Sequence, residues 1–291
     1  MKIPFKTGNL MILRVKNKLF DLQEPIVMGI LNNTPDSFYQ FSRLGNDKSI
    51  LKKVERMVKE GVDILDVGAY STRPQADFVS QEEEISRLSD VLEIIVKNFP
   101  EVLVSVDTFR SPVARLVVEK YGVSMINDVS GGSADSMMFE TIVSLKVAYV
   151  LMHSRGNPQT MQEMTDYENL VGDVLHFLSK RIAQLHILGV TDVIADPGFG
   201  FAKTLEQNYE LLAKLHYFKE LNVPILAGIS RKSMIYKYLQ TDPENALTGT
   251  TAAHMLALMQ GASILRVHDV QEAVETIKIY KAFKSAGLSL K

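Results

Sequence analysis

Residues able to hold charge or exchange hydrogen bonds recur along the 291-residue chain, each just after a short apolar run. In order they are Asn32; Asp66 with Ser71, Thr72 and Arg73; Asp107; Asn127 with Asp128; His153; Asp196; Ser230, Arg231 and Lys232; and Arg266 with His268. One alone would mean little, because Asp and Asn favour turns by bonding to nearby backbone. Eight groups in step with eight apolar runs point to one shared rim. Two chemistries divide the set. Asp107, Asn127 and Asp196 offer acceptors on short side chains, and Asn127 offers donors as well, a match for the amide and amino edge of a flat heterocycle. Arg73, Arg231, Lys232, Arg266 and His268 offer donors and positive charge for a phosphate or a carboxylate. A substrate with a hydrogen-bonding ring at one end and an anionic group at the other would use both.

The elements that must position these groups are legible in the apolar pattern. The runs span residues 26–31, 63–67, 102–106, 124–127, 148–152, 192–195, 224–228 and 263–267, with helical spacing of apolar residues between them. Residues 81–97 read as a helix opened by Ser80 and an acidic Glu82-Glu83-Glu84 turn suited to the positive helix N-terminus. Val270, Ala273, Val274 and Ile277 form an i, i+3, i+4, i+7 stripe on the last helix. Nearly continuous apolar strands are expected where both sheet faces are covered, which selects a parallel sheet. Eight βα units without a linker between them favour an α/β fold of the (βα)8 TIM-barrel class, with a doubly wound sheet as the alternative. Residues 9–20 alternate around Asn17 and read as an N-terminal β-hairpin under the barrel floor. The chain 1–291 is expected to form a single domain, its reacting groups at the C-terminal ends of the strands.

Composition narrows the partners. Lys plus Arg is 32 and Asp plus Glu 34, a net charge of −2, and no local basic patch offers a nucleic-acid backbone or an anionic membrane a footing. No cysteine is present, which removes disulfides, thiolate metal sites and cysteine nucleophiles. No apolar run approaches the ~20 residues of a membrane span, and polar residues interrupt the opening segment, so a soluble cytoplasmic protein is expected. Residues 198–204 lack the Walker spacing, Ser230 is not in a nucleophile elbow, and no His-Glu-x-x-His pair occurs. His176, His186 and His216 are read as surface or packing residues, and Met137, Met138, Met255 and Met259 as core filler.

The wording at the strand ends is specific. MGILNNTPDSF (28–38), DILDVGAYSTRP (63–74), SVDTFR (105–110), INDVSGG (126–132), LMHSRGNPQTMQ (151–162), IADPGFGFAKT (194–204), GISRKS (228–233) and RVHDV (266–270) together resemble the dihydropteroate synthase family of pterin-binding TIM barrels. The resemblance runs in order from about residue 10 to about residue 285. It implies an enzyme of folate biosynthesis that condenses 6-hydroxymethyl-7,8-dihydropterin pyrophosphate with p-aminobenzoate, giving 7,8-dihydropteroate and pyrophosphate. By that resemblance Asp107, Asn127, Met152, Asp196, Phe201, Gly228 and Lys232 would hold the pterin. Asn32, Thr72, Arg266 and His268 would hold the pyrophosphate, with Mg²⁺ beside Asn32. Thr72, Arg73, Pro74, Ser230 and Ser233 would line the p-aminobenzoate site. Asp107, Asp196, Lys232, Arg266 and His268 would carry the chemistry. Sulfonamide sensitivity and a homodimer are further implications.

The chain also departs from the family pattern. Tyr39-Gln40-Phe41-Ser42 stands where Ser-Asp-Gly-Gly is usual, Gln75 where Gly is usual, and Asn33 where an apolar residue is common. These changes bear on the lid loops after the first two strands, where Gly supplies conformations other residues resist. Two alternatives share the pterin floor. One is a methyltransferase passing a folate methyl group to a corrinoid partner, which has no evident use for Arg266, His268 and the 71–74 loop. The other is a catalytically silent pterin-binding protein, against which the intact polar set speaks.

Overall fold

A computed structural model describes residues 11–32, 43–70, 79–156, 160–161 and 163–289. The chain opens with an antiparallel hairpin, β1 (Ile12–Val15) and β2 (Lys18–Asp21), paired from Ile12↔Asp21 to Val15↔Lys18. Alternation along β1 buries Leu13 and Val15 and leaves Ile12 and Arg14 outside. The buried pair packs with Leu22, Met28, Ile64, Leu103, Met125, Ile194 and Ile264 in a cluster of its own. The hairpin therefore plugs the barrel from below, as its alternation predicts.

Eight strands follow: β3 (Ile26–Asn32), β4 (Ile64–Gly68), β5 (Leu103–Asp107), β6 (Met125–Asp128), β7 (Ala148–Met152), β8 (Val193–Asp196), β9 (Leu226–Ala227) and β10 (Ile264–Val267). All pair in parallel, in the order β8-β7-β6-β5-β4-β3-β10-β9. A parallel bridge between Ala195 and Ile225 joins the two edges and closes the barrel. The seventh barrel strand is shorter than its apolar run: its ladder to β10 is confined to Leu226 and Ala227. Pro224 has no N–H to give a ladder, and only its carbonyl takes part, accepting from the Ala195 amide at 2.8 Å.

Helices α1 (Arg43–Glu60), α2 (Gln81–Asn98), α3 (Ser111–Tyr121), α4 (Met138–Leu145), α5 (Leu170–Ile187), α6 (Leu205–Ala213), α7 (Ser233–Tyr236), α8 (Leu247–Gln260) and α9 (Val270–Ser289) alternate with the strands, joined by a 3-10 turn at Leu215–Leu221. The main core lies between strands and helices. Ser80 caps α2 through its side chain, as the sequence predicts, and Val270, Ala273 and Ile277 bury the expected stripe of α9. Two of the four methionines differ from expectation. Met137 and Met259 are 52% and 49% exposed, because Met137 precedes the first turn of α4 and Met259 lies on the outer face of α8. His176, His186 and His216 are exposed.

Strand alternation sorts the barrel interior by height. Ile64, Leu103, Met125 and Ile264 fill the lower layer, and two residues further along the same strands stand Asp66, Ser105, Asn127 and Arg266. The interior thus passes from hydrocarbon to buried charge within one step of the pleat.

Candidate active site

Three of these upper residues, Asp66, Asn127 and Arg266, form one connected group with Asp107. Arg266 donates from Nε to Asp66 Oδ2 at 2.7 Å and from Nη2 to Asp107 Oδ2 at 3.0 Å. Asn127 donates from Nδ2 to the same Asp66 oxygen at 3.0 Å. Strand register explains the meeting: Asp107 is paired with Gly68 on one side and Asn127 on the other, and Gly68 has no side chain to intervene. Burial pushes the Asp107 carboxyl up to about 7, with Arg266 pulling it down and Asp66, Glu84 and Asp128 pushing it further up. Arg266 loses hydration to burial, but Asp66 and Asp107 more than offset this and raise it.

Asp196 ends β8 on the opposite wall. Burial raises its carboxyl, while Lys232 and the Gly198 amide, 2.7 Å from Oδ1, favour its charged form. Burial lowers Lys232 to about 8 against the pull of Asp196. The Lys232 ammonium donates to the Phe199 carbonyl and lies 4.5 Å from the centre of the Phe201 ring. Gly200 makes this approach possible: it has φ +79°, and a Cβ there would come within 3.1 Å of Lys232 Cδ.

The third part sits above β9 and β10. Ser230 Oγ accepts the His268 amide at 3.2 Å and lies 3.0 Å from His268 Nδ1. The hydroxyl can also donate, and the arrangement in which it does so toward Nδ1 leaves the imidazole proton on Nε2. Burial and the nearby Arg266 lower His268 to about 4, so at neutral pH it is a neutral donor rather than the cation its sequence position suggests. Arg231 also departs from expectation. It gives Nε and Nη2 to Asp269, both at 2.8 Å, and Nη1 to the carbonyls of Pro243 and Glu244, both at 2.9 Å. Its donors staple three loops through the Asp269 carboxylate and two carbonyls rather than facing a substrate anion.

Met152 is buried at the end of β7, paired with Asp196, Gly228 is buried just past β9 beside Asp196 and Arg266, and Ser233 opens α7 next to Lys232. Asn32 ends β3, half-buried, with Oδ1 3.0 Å from the position a Gly68 Cβ would take. Among the described residues no three His, Cys, Asp or Glu side chains cluster as a metal site. A lone amide oxygen suits a hard cation that takes its other ligands from phosphate and water. Thr72, Arg73 and Pro74 lie outside the described residues, as do Asn33, Pro35, Asp36 and Ser71.

A barrel mouth with carboxylates, an amide, an arginine and a lysine facing inward narrows the families that fit, and comparison with known proteins decides among them. The pterin binding enzyme family matches residues 28–268. The chain is 42% identical over 268 residues to a protein named dihydropteroate synthase in Escherichia coli (strain K12), covering 91% of this chain and 94% of that one. The chain belongs to the dihydropteroate synthase family. The relative of the same name in Haemophilus influenzae is 40% identical over 278 residues, covering 95% of this chain and all, 100%, of its own. The crystal structure of the Yersinia pestis dihydropteroate synthase with a sulfonamide drug superposes with a TM-score of 0.87 at 37% identity, covering 94% of this chain and 100% of that one. The chain is an enzyme of this family, a transferase with a TIM-barrel fold.

Several residues of this synthase fold escape a reading by strand ends alone. Asp66 is visible as a polar strand end, but its place as the shared acceptor of Arg266 and Asn127 depends on register. Lys203, 5% exposed, bonds His153 Nδ1 at 3.1 Å. Only the pairing of a lysine with the Gly-rich 198–203 stretch hints at it. Glu84 is fully buried rather than facing solvent at its helix start, accepting from Thr108 Oγ1 at 2.6 Å and from Arg110.

Proposed function

We propose that this dihydropteroate synthase family member condenses 6-hydroxymethyl-7,8-dihydropterin pyrophosphate with p-aminobenzoate in folate biosynthesis, the whole chain acting as one pterin-binding barrel domain. The observation that carries the reading is the convergence of Asp107, Asn127 and Asp196 with Arg266 and Lys232 on one buried mouth. The carboxylates and the amide suit the amino and amide edge of the pterin. Met152, Gly228 and Phe201 bound the ring with apolar surface.

The reaction breaks the bond between the pterin methylene carbon and the pyrophosphate oxygen, the electron pair leaving with that oxygen. The p-aminobenzoate amine then forms the new carbon–nitrogen bond and releases its proton to solvent. Negative charge grows on the leaving group and positive charge on the ring, so the two ends need opposite surroundings. Arg266 offers its third donor, Nη1, which bonds no group among the described residues. His268 offers Nε2–H as a neutral donor. Asp107 and Asp196 face the electron-poor ring. Asn32, with Thr72, completes the pyrophosphate site and would hold Mg²⁺, which supplies charge neutralisation of the leaving phosphates when bound. Ser230, Ser233, Thr72, Arg73 and Pro74 line the p-aminobenzoate site, where sulfonamides compete.

The protein acts in the cytoplasm as a homodimer. Leu256, Met259, Ile279 and Phe283 support the dimer: they are 54%, 49%, 64% and 60% exposed on α8 and α9, which pack together. Pyrophosphate release tests the reaction: it should require both substrates and stop in Asp196→Asn. Release independent of p-aminobenzoate, or near-normal turnover in the variant, contradicts the reading.

A further inference from the structure

A buried lysine that the condensation does not use sits directly behind the pterin wall. Lys203 follows the 198–202 turn of the loop between β8 and α6 and is 5% exposed. Its ammonium reaches His153 Nδ1 at 3.1 Å, the Gly198 carbonyl at 2.9 Å and the Phe201 carbonyl at 3.0 Å. His153, 2% exposed at the end of β7, is driven down to about 2 by burial and then by Lys203 and Arg155, so the imidazole is neutral and Nδ1 accepts. In the charged form of Lys203 the three ammonium protons meet these three acceptors; burial lowers the lysine to about 7 against the pull of Asp196.

The loop that these bonds hold is unusual in its backbone. Gly198, Gly200 and Ala202 have φ of +74°, +79° and +49°, left-handed values at alternate positions that turn successive carbonyls to different sides. Lys203 takes the carbonyls of Gly198 and Phe201, and Lys232 takes that of Phe199 between them. Tyr167 holds a fourth, the Ala202 carbonyl, at 3.0 Å. Two lysines therefore hold one loop through different carbonyls, and the loop carries the Phe201 ring that Lys232 covers.

We propose that Lys203, anchored on His153, is a positioning residue for pterin binding: it fixes the 196–204 loop so that Phe201 and the Phe199 carbonyl meet Lys232 at the substrate face. This rests on the dihydropteroate synthase reading. A misplacement of about 1 Å at such a point is felt in binding, whereas a group that only supports the fold would move stability alone.

Steady-state kinetics and hydrogen exchange on the full chain test it. Lys203→Met keeps the stem and removes the donors. Its KM for the dihydropterin pyrophosphate should rise on the order of tenfold, with kcat and the KM for p-aminobenzoate within about threefold. Amides of the 198–202 segment should exchange faster while the β3–β6 peptides stay protected. His153→Asn, which keeps an acceptor at the Nδ1 position, should stay close to wild type, and His153→Leu should follow Lys203→Met. Unchanged KM together with unchanged exchange, or a loss of protection across the whole barrel, overturns the assignment. If Lys203→Met does not fold, the contrast between the two His153 variants decides. If the wild type turns over no substrate, the functional reading fails, and local exchange in 198–202 still tells whether Lys203 holds the loop.

Discussion

Arg266 and Asp66 form an ion pair inside the barrel, Nε to Oδ2 at 2.7 Å, with the Asp66 side chain fully out of solvent. Asp66 lies two residues above Ile64 in the apolar layer, so the pair stands at the boundary between core and site. Removing one partner of a buried pair strands the other charge, which costs about 3–5 kcal/mol. Asp107 also bonds Arg266 and softens the loss. Asp66→Ala should therefore destabilise the fold by about 3 kcal/mol in urea denaturation, near the lower end of that range. Asp66→Asn, which keeps an acceptor for Arg266, should lose less. A change under about 1 kcal/mol in the alanine variant would place this pair with weak surface bridges instead.

Two groups of the site give the reaction its pH limits. Asp107 is pushed up to about 7 and must be ionised to accept from the pterin, so kcat/KM should rise with pH through that value. Lys232 is brought down to about 8 and loses its charge above it, so kcat/KM should fall again on the alkaline side. The profile is a narrow bell. In Asp107→Asn the surviving activity should lose the acid limb, and a profile with the same acid limb would move its origin to another group.

His254 on α8 is buried, and its Nε2 has no partner among the described residues. Burial lowers its pKa from 6.5 to about 4, with Asp269 pulling weakly upward. The unfolded chain therefore binds a proton between these values that the folded chain refuses. Stability contributed by the neutral ring is present above about 6.5 and is lost as pH falls toward 4, up to about 3 kcal/mol in total. His254→Leu should remove that acid sensitivity and, by removing the unpaired nitrogen, gain about 1 kcal/mol at alkaline pH. Denaturation midpoints of both proteins on either side of this window measure it, and parallel curves would contradict it.

Gly198 has φ +74°, and a Cβ there would lie 1.9 Å from the His153 carbonyl oxygen, a backbone atom that cannot swing aside. Gly189 has φ +91° with nothing within 4 Å. Gly198→Ala should cost most of the pterin affinity because it displaces the loop bearing Phe201. Gly189→Ala should cost only the left-handed strain, about 1 kcal/mol, and leave affinity intact. Calorimetry with a pterin reads the contrast, and equal losses in both would remove the special place of the 198–202 turn.

The barrel and most of its polar rim were readable because strand ends, apolar runs and a hairpin leave local marks. Six side chains of the recognition and anion groups, Asp107, Asn127, Asp196, Lys232, Arg266 and His268, all fall at the C-terminal ends of strands or just past them. What they do to one another was not readable. Arg231 reads as a donor for a substrate anion until Asp269, 38 positions away, takes two of its donors. His268 looks cationic until burial and Arg266 neutralise it. Pairings across the barrel depend on register and depth, which are set by the packing of distant segments and leave no local signal.

The most direct test is a crystal of the protein soaked with a pterin pyrophosphate analogue. The account predicts the bicyclic ring in the barrel mouth, its amino and amide edge within hydrogen-bond distance of Asp107, Asn127 and Asp196, and its phosphates beside Arg266 and His268. A ring bound elsewhere, or one in the mouth that leaves those three side chains untouched, would contradict it.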